Sequence, residues 1–344
     1  MKKLFKLVFL ATISIALVNL AGCGGSGGSS TPVAASTSKT YNAAASEGEL
    51  LEYTLDETNL TYSYKVTSSA VGINNNTHTG TLVLNADGTY TPSSASNTRI
   101  IVLPNKLVVG ATKLNINGAD KHTVIIGVPT TTNVQFSDIA GTYNYISLQC
   151  LTSACNNSTG DPESAYGTFN ISTSGNWVEC TRSNYTAAPS SCAGRGYGTL
   201  NSLGNGRFQV LEGSTDMGTA MFYHSSSGQK IVIVDLKNYY GNYGRGMIYG
   251  VPQNTLTFGA STNGKYYFNS TKLTSGDYAG WIDVSGSSAA VSDGSGPLSL
   301  TANTPWTGMM DTVEGYGMLA AEGAFMWVPK NLATDTHITV GVKK

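Results

Sequence analysis

The chain has 344 residues with 20 basic and 21 acidic side chains, and charged residues make up only 12% of it. Without a basic stripe to neutralise phosphates, the composition argues against nucleic acid as a partner. The 40 glycines and 19 tyrosines, amid abundant Ser, Thr and Asn, suit an extracellular β-protein, and no long segment carries helical periodicity, so the expected class is all-β.

At the N-terminus, Lys2, Lys3 and Lys6 precede Leu7 to Val18, which is apolar apart from Thr12 and Ser14. That stretch falls short of the roughly 20 apolar residues a membrane-spanning helix needs, and residues 1–22 read as a secretory signal. The segment closes on Leu20-Ala21-Gly22-Cys23, which resembles the lipobox of bacterial lipoproteins. The resemblance implies that the Cys23 thiol receives a diacylglycerol, that the chain is cut before it, and that the new amino terminus is acylated. Three acyl chains, at roughly 0.8 kcal/mol per buried CH₂, hold a protein on a membrane lastingly. Gly24 stands where aspartate marks inner-membrane retention in the enteric pattern, so the resemblance favours the outer membrane, on its periplasmic or cell-surface face. Loss of the three lysines leaves 17 basic against 21 acidic residues, a mature charge near −4.

Residues 23–45, beginning Gly24-Gly25-Ser26-Gly27-Gly28-Ser29-Ser30, are too poor in apolar side chains to bury a core and read as a flexible tether. With Cys23 taken by lipid, Cys150, Cys155, Cys180 and Cys192 remain, an even set in an oxidising compartment. Two disulfides are expected. The local pairs Cys150–Cys155 and Cys180–Cys192 are favoured because each joins residues of one loop; the crossed pairings stay open. The spacings lack the tight pairs of most zinc knuckles.

Internal repetition organises the rest. Ile125-Ile126-Gly127-Val128-Pro129 recurs as Ile248-Tyr249-Gly250-Val251-Pro252 and more loosely as Phe325-Met326-Trp327-Val328-Pro329. After the first two, Thr132 to Phe136 leads to Gly141-Thr142-Tyr143, and Thr255 to Phe258 leads to Gly264-Lys265-Tyr266. Proline removes a ladder donor and so suits a strand end. Three β-units are expected, at 46–129, 136–252 and 264–344.

In the middle unit, alternation and turn residues predict strands at Thr142–Gln149, Tyr166–Ile171, Asn176–Thr181, Tyr197–Asn201, Arg207–Leu211, Thr219–Tyr223, Lys230–Leu236 and Arg245–Val251. Such a run makes an antiparallel meander that can close into a small β-barrel and remove its edges. Tight glycine turns fall at one end, and the long linkers, with all four cysteines, at the other. The arrangement resembles lipocalin- and avidin-like architecture in shape alone; no motif of either is present.

The loop Lys237 to Arg245 offers the best contact surface, since tyrosine gives broad amphipathic area at little rotamer cost. Tyr239, Tyr240, Asn242, Tyr243 and Arg245 are the candidate ligand-binding residues, joined by Arg195 on the neighbouring loop. Catalytic signals are poor. Gly24 to Gly28 matches a nucleophile elbow only formally, within the tether. Two Ser-x-x-Lys matches, at Ser36 and Ser227, sit in the tether and a turn. His78, His122, His224 and His337 are scattered, and Asn85-Ala86-Asp87-Gly88 reads as a hairpin turn, not a calcium loop. No cofactor and no metal is expected. The sequence therefore favours a noncatalytic, lipid-anchored binding protein that recognises a protein or glycan partner through loops at one end of its barrels. The alternatives are an enzyme acting on envelope polymers and a structural subunit of an envelope assembly.

Overall fold

The computed structural model describes residues 38–344 except 117–118, 132, 152–162, 186–191, 193, 226–227, 229, 239–243, 273–275, 321–322 and 331–335. The signal, Cys23 and the tether up to residue 37 lie outside the described residues. What is described is almost wholly β, in three antiparallel meanders.

The first unit runs β1 (Lys39–Ala45), β2 (Glu49–Asp56), β3 (Thr61–Ser69), β4 (Thr77–Leu84), β5 (Tyr90–Pro92), β6 (Ile101–Leu103), β7 (Leu107–Ile116) and β8 (Ala119–Pro129). Its first and last strands pair, and a bridge between Tyr90 and Ile100 joins β5 to the approach to β6. The strand β1 is a correction to the tether expected over 23–45. Its short side chains Ala43, Ala44 and Ala45, which made it look like linker, are fully buried between β2 and β8.

The second unit opens with a short helix α1 (Phe136–Ile139). It continues through β9 (Gly141–Cys150), β10 (Glu163–Ile171), β11 (Asn176–Thr181), β12 (Gly194–Gly204), β13 (Arg207–Glu212), β14 (Thr215–His224), β15 (Lys230–Asn238) and β16 (Gly244–Pro252). These eight strands form a closed up-and-down barrel. The third unit has β17 (Gly264–Lys272), β18 (Gly276–Ser285), β19 (Ser288–Val291), β20 (Leu298–Ser299), β21 (Thr301–Ala302), β22 (Met310–Asp311), β23 (Gly315–Leu319), β24 (Ala324–Pro329) and β25 (Ile338–Lys343). There β20 pairs with β19, β21 pairs with β22 across Leu300, and β17 pairs with β25, so the strands again run round a ring.

The three units share one register. Tyr41 on β1 faces Pro129, Tyr143 on β9 faces Pro252, and Tyr266 on β17 faces Lys343. The true third copy of the repeat is therefore Thr339-Val340-Gly341-Val342-Lys343. The expected copy, Phe325 to Pro329, lies on the penultimate strand β24 instead. The shared element is the glycine: a Cβ on Gly127 would sit 3.0 Å from Ala43 Cβ, on Gly250 2.8 Å from Val232 Cγ1, and on Gly341 2.7 Å from the Tyr267 carbonyl. Each closing strand approaches its neighbour too closely for a side chain.

The recurring linker has a physical role. Before β9, Val134, Phe136 and Ile139 enter the end of the second barrel where the tight turns lie, and Phe136 packs 5.5 Å from Phe208. Before β17, Leu256 and Phe258 do the same for the third unit. Each linker is pinned by the first-strand tyrosine: Tyr143 Oη donates to the Ile139 carbonyl (2.6 Å) and Tyr266 Oη to the Thr262 carbonyl (2.8 Å). One end of each of these two barrels is thereby stoppered.

The outer faces of the units meet in a common core. Ile126 and Val128 from β8, Ile146 and Leu148 from β9, Met247 and Tyr249 from β16, and Val340 and Val342 from β25 belong to one buried cluster. These strands are apolar on both faces, unlike those of an isolated small barrel in water. First-strand asparagines stitch the units in a cycle. Asn42 Nδ2 donates to Asn205 O (3.1 Å), Asn144 Nδ2 to Thr307 O (2.9 Å), and Asn269 Nδ2 to Arg99 O (2.8 Å). First unit thus reaches second, second reaches third, and third reaches first.

Candidate functional site

Of the residues expected to bind a ligand, Tyr239, Tyr240, Asn242 and Tyr243 lie outside the described residues. Arg195 is exposed, its guanidinium 5.5 Å from the centre of the Tyr197 ring, which is 59% exposed. Arg245 is not on a rim. It opens β16 in a buried position, with Nη2 3.5 Å from Glu47 Oε2 on the first unit's β1–β2 turn. A buried guanidinium needs such a partner, which is why the inter-unit contact claims it. Cys180 and Cys192 form a disulfide, and Cys150 is also disulfide-bonded, while Cys155 lies outside the described residues.

The barrel interiors differ in what they leave open. Tyrosines fill the first: Tyr53 stacks on Tyr62 (6.1 Å), Tyr64 on His78 (5.3 Å), and Tyr62 Oη lies 3.2 Å from His78 Nε2. On its outer face, Thr54, Asp56, Thr61, Ser63, Thr79 and Thr81 surround a polar hollow of about 520 Å³. The second interior holds Phe169, Phe222, Trp177 and Glu179 around a cavity of about 60 Å³. That is well below the ~150 Å³ that admits benzene. Glu179 accepts a hydrogen bond from Tyr145 Oη (2.5 Å); burial raises its pKa against the pull of Tyr145 and Thr181. The second barrel is a packed core, not a lipocalin-like ligand chamber.

The third unit differs because the wall from β19 to β22 is made of strands two to four residues long. A cleft of about 490 Å³ opens there, at the end away from the Leu256 and Phe258 stopper. This is the end that corresponds to the cysteine-bearing loops of the second barrel. Phe268, Ile282, Met310 and Phe325 make its apolar floor, while Asp293, Ser295, Thr312, Glu314 and His337 stand round it. Trp327 is held rigidly: its indole N–H donates to Thr312 Oγ1 (3.3 Å), its ring lies 5.2 Å from that of His337, and Gly315 makes room for it. The His337 carbonyl accepts from Ser164 Oγ (3.0 Å), fixing this side of the mouth to the second unit. Tyr278, 52% exposed, lines the opening, and Val313, 78% exposed, sits in the chain between the lining residues Thr312 and Glu314. Hydrogen bonds from Ser295 hold the Asp293 carboxyl below the usual range, so it is charged at neutral pH. A concave apolar site with a few convergent polar groups is the usual form of a ligand pocket.

A second cluster of polar groups lies where the first unit meets the loop end of the second barrel. Glu47, Glu49, Asp235 and Arg245 are all buried there. Burial raises the Glu49 carboxyl well above its usual pKa, and Asp235 and Glu47 add to the rise. Burial raises Asp235 likewise, with Asp216 opposing and Lys237 favouring its charge. Among the described residues no group of three or more His, Cys, Asp or Glu side chains is arranged to hold a metal ion.

No family model matches this chain, and no curated protein is similar to it. Among solved structures, it aligns with a crystal structure of the DNA polymerase III beta chain from Streptococcus pneumoniae at 7% identity over 89% of this chain and 91% of that one. The TM-score of 0.12 carries no argument about fold or function.

Proposed function

We propose that this protein is a noncatalytic lipoprotein of the outer membrane, anchored through Cys23, that binds a protein or glycan partner at the loop-bearing ends of its barrels. The mouth of the third unit is the receiving site. The observation that carries the reading is that mouth: an apolar floor, a tryptophan held by Thr312 and His337, and exposed Tyr278 at its opening. Large apolar side chains left in water beside a preformed cleft are costly unless something covers them. The linkers that stopper the opposite ends leave the loop ends as the places where a ligand can enter.

The mouth is tested by placing a photo-crosslinking residue at Tyr278 and, as a control, at Leu203, which is 50% exposed near the tight turn before β13. A partner trapped from Tyr278 and not from Leu203 is the expected result; trapping from Leu203 alone would invert the assignment of ends. The anchor is tested separately. Cys23→Ala should abolish lipid labelling and release the body from membranes, and continued labelling of that variant would remove the basis for the outer-membrane placement.

A further inference from the structure

We infer that the occupant of the third unit's mouth is an extended segment of a protein partner that presents an apolar side chain next to a basic one. The inference rests on the reading of this mouth as the binding site. The floor of Phe268, Ile282, Met310 and Phe325 offers nothing to a hydroxyl group, so the group that enters it is apolar. The charges above it are of one sign. Asp293 and Glu314 are both among the lining residues, and no lysine or arginine is among those described. The nearby Lys330 is committed elsewhere: its amine lies 2.6 Å from Asp311 Oδ1 and 5.3 Å from the centre of the Tyr316 ring. His337 is buried against Trp327. An apolar anchor flanked by Lys or Arg satisfies floor and rim together, whereas a sugar would match the rim and leave the floor unfilled. Exposed Tyr278, itself a lining residue, extends the apolar surface past the opening, as an extended chain crossing it would use.

The test is calorimetric titration of the full chain with capped peptides: Gly-Arg-Phe-Arg-Gly, Gly-Ser-Phe-Ser-Gly, Gly-Glu-Phe-Glu-Gly and Gly-Arg-Ala-Arg-Gly. An oligomer of glucosamine is the glycan arm. The arginine–phenylalanine peptide should bind about tenfold more tightly than its serine counterpart, and removing the phenylalanine should cost at least as much. Asp293→Asn combined with Glu314→Gln, both at exposed positions, should erase the preference for arginine, so that the arginine and serine peptides bind alike. Equal binding of the arginine, serine and glutamate peptides would overturn the inference and leave the mouth as a site that reads shape alone. Binding of the glucosamine oligomer in place of the peptides would overturn it in favour of a glycan. If no probe binds, both the inference and the site assignment fall.

Discussion

Asn144→Leu should destabilise the protein by about 2–5 kcal/mol, among the largest single effects available outside the barrel interiors. The side chain is fully buried on β9, on the face that looks toward the third unit. Its amide donates to the Thr307 carbonyl at 2.9 Å, and its carbonyl accepts from Trp306 Nε1 at 2.9 Å and Gln253 Nε2 at 3.1 Å. Leucine keeps the branching and heavy-atom count of asparagine and is the bulkier side chain, so none of the loss comes from a cavity. What remains is chiefly the half-buried Trp306 indole N–H without its acceptor, together with the lost bonds to Thr307 and Gln253, each buried unpaired group costing about 1–3 kcal/mol. Asn42→Leu is the matched control. It occupies the same position after the first-strand tyrosine but makes one exposed hydrogen bond, to Asn205 O, so its cost should stay below about 1 kcal/mol. Thermal melts rank the two variants, and amide exchange around residues 303–309 shows whether the seam opens first. Equal effects from the two would mean that the seam is held by apolar packing alone.

The contrast between those two asparagines shows what the sequence conceals. Strand positions were readable because alternation and glycine turns are local signals: β11 was expected at Asn176–Thr181 and is found there, and most other strands of the middle unit only lengthen at their ends. The repeat was readable in its first two copies. The third lies elsewhere because Val-Pro marks only a strand end, whereas what the three closing strands share is a glycine packed tightly against its neighbours, and Gly341-Val342 carries it without a proline. The association of units has one local sign: Ile231-Val232-Ile233-Val234 is apolar at successive positions, which a barrel wetted outside would not need. The mouth of the third unit had no local sign. Tyr278, Asp293, Glu314, Trp327 and His337 come together only once the meander has closed. Arg245 misled because a charged residue in a glycine- and tyrosine-rich loop looks exposed, and only the neighbouring unit's Glu47 explains its burial.

The buried carboxyls at the junction of the first and second units should make the protein lose stability as pH rises. Glu49 and Asp235 are almost without solvent exposure, and Asp235 Oδ1 is buried without a hydrogen-bond partner, while Ser69 and Arg245 only partly offset the burial of Glu49. Arg245 is shared with Glu47, and Lys237 is held by Asp216 at 2.8 Å, so neither cation is free to neutralise the pair fully. Both carboxyls are therefore protonated in the folded chain at pH values where the unfolded chain has already ionised them. With folded pKa values above unfolded ones, stability is fully present below about pH 4 and is lost as pH rises from there toward the folded values. Each group contributes up to about 1.4 kcal/mol per pH unit across that window. Glu49→Gln with Asp235→Asn keeps the shape and removes the ionisation. The variant should melt close to the unmodified protein at pH 4 and clearly above it at pH 8. A shallower slope remains in the variant, because burial also raises Glu179 and Asp277. Were the double variant instead less stable at pH 8, the two carboxyls would be acting as anions paired with Arg245, and the junction would be held by charge, not by protonated acids.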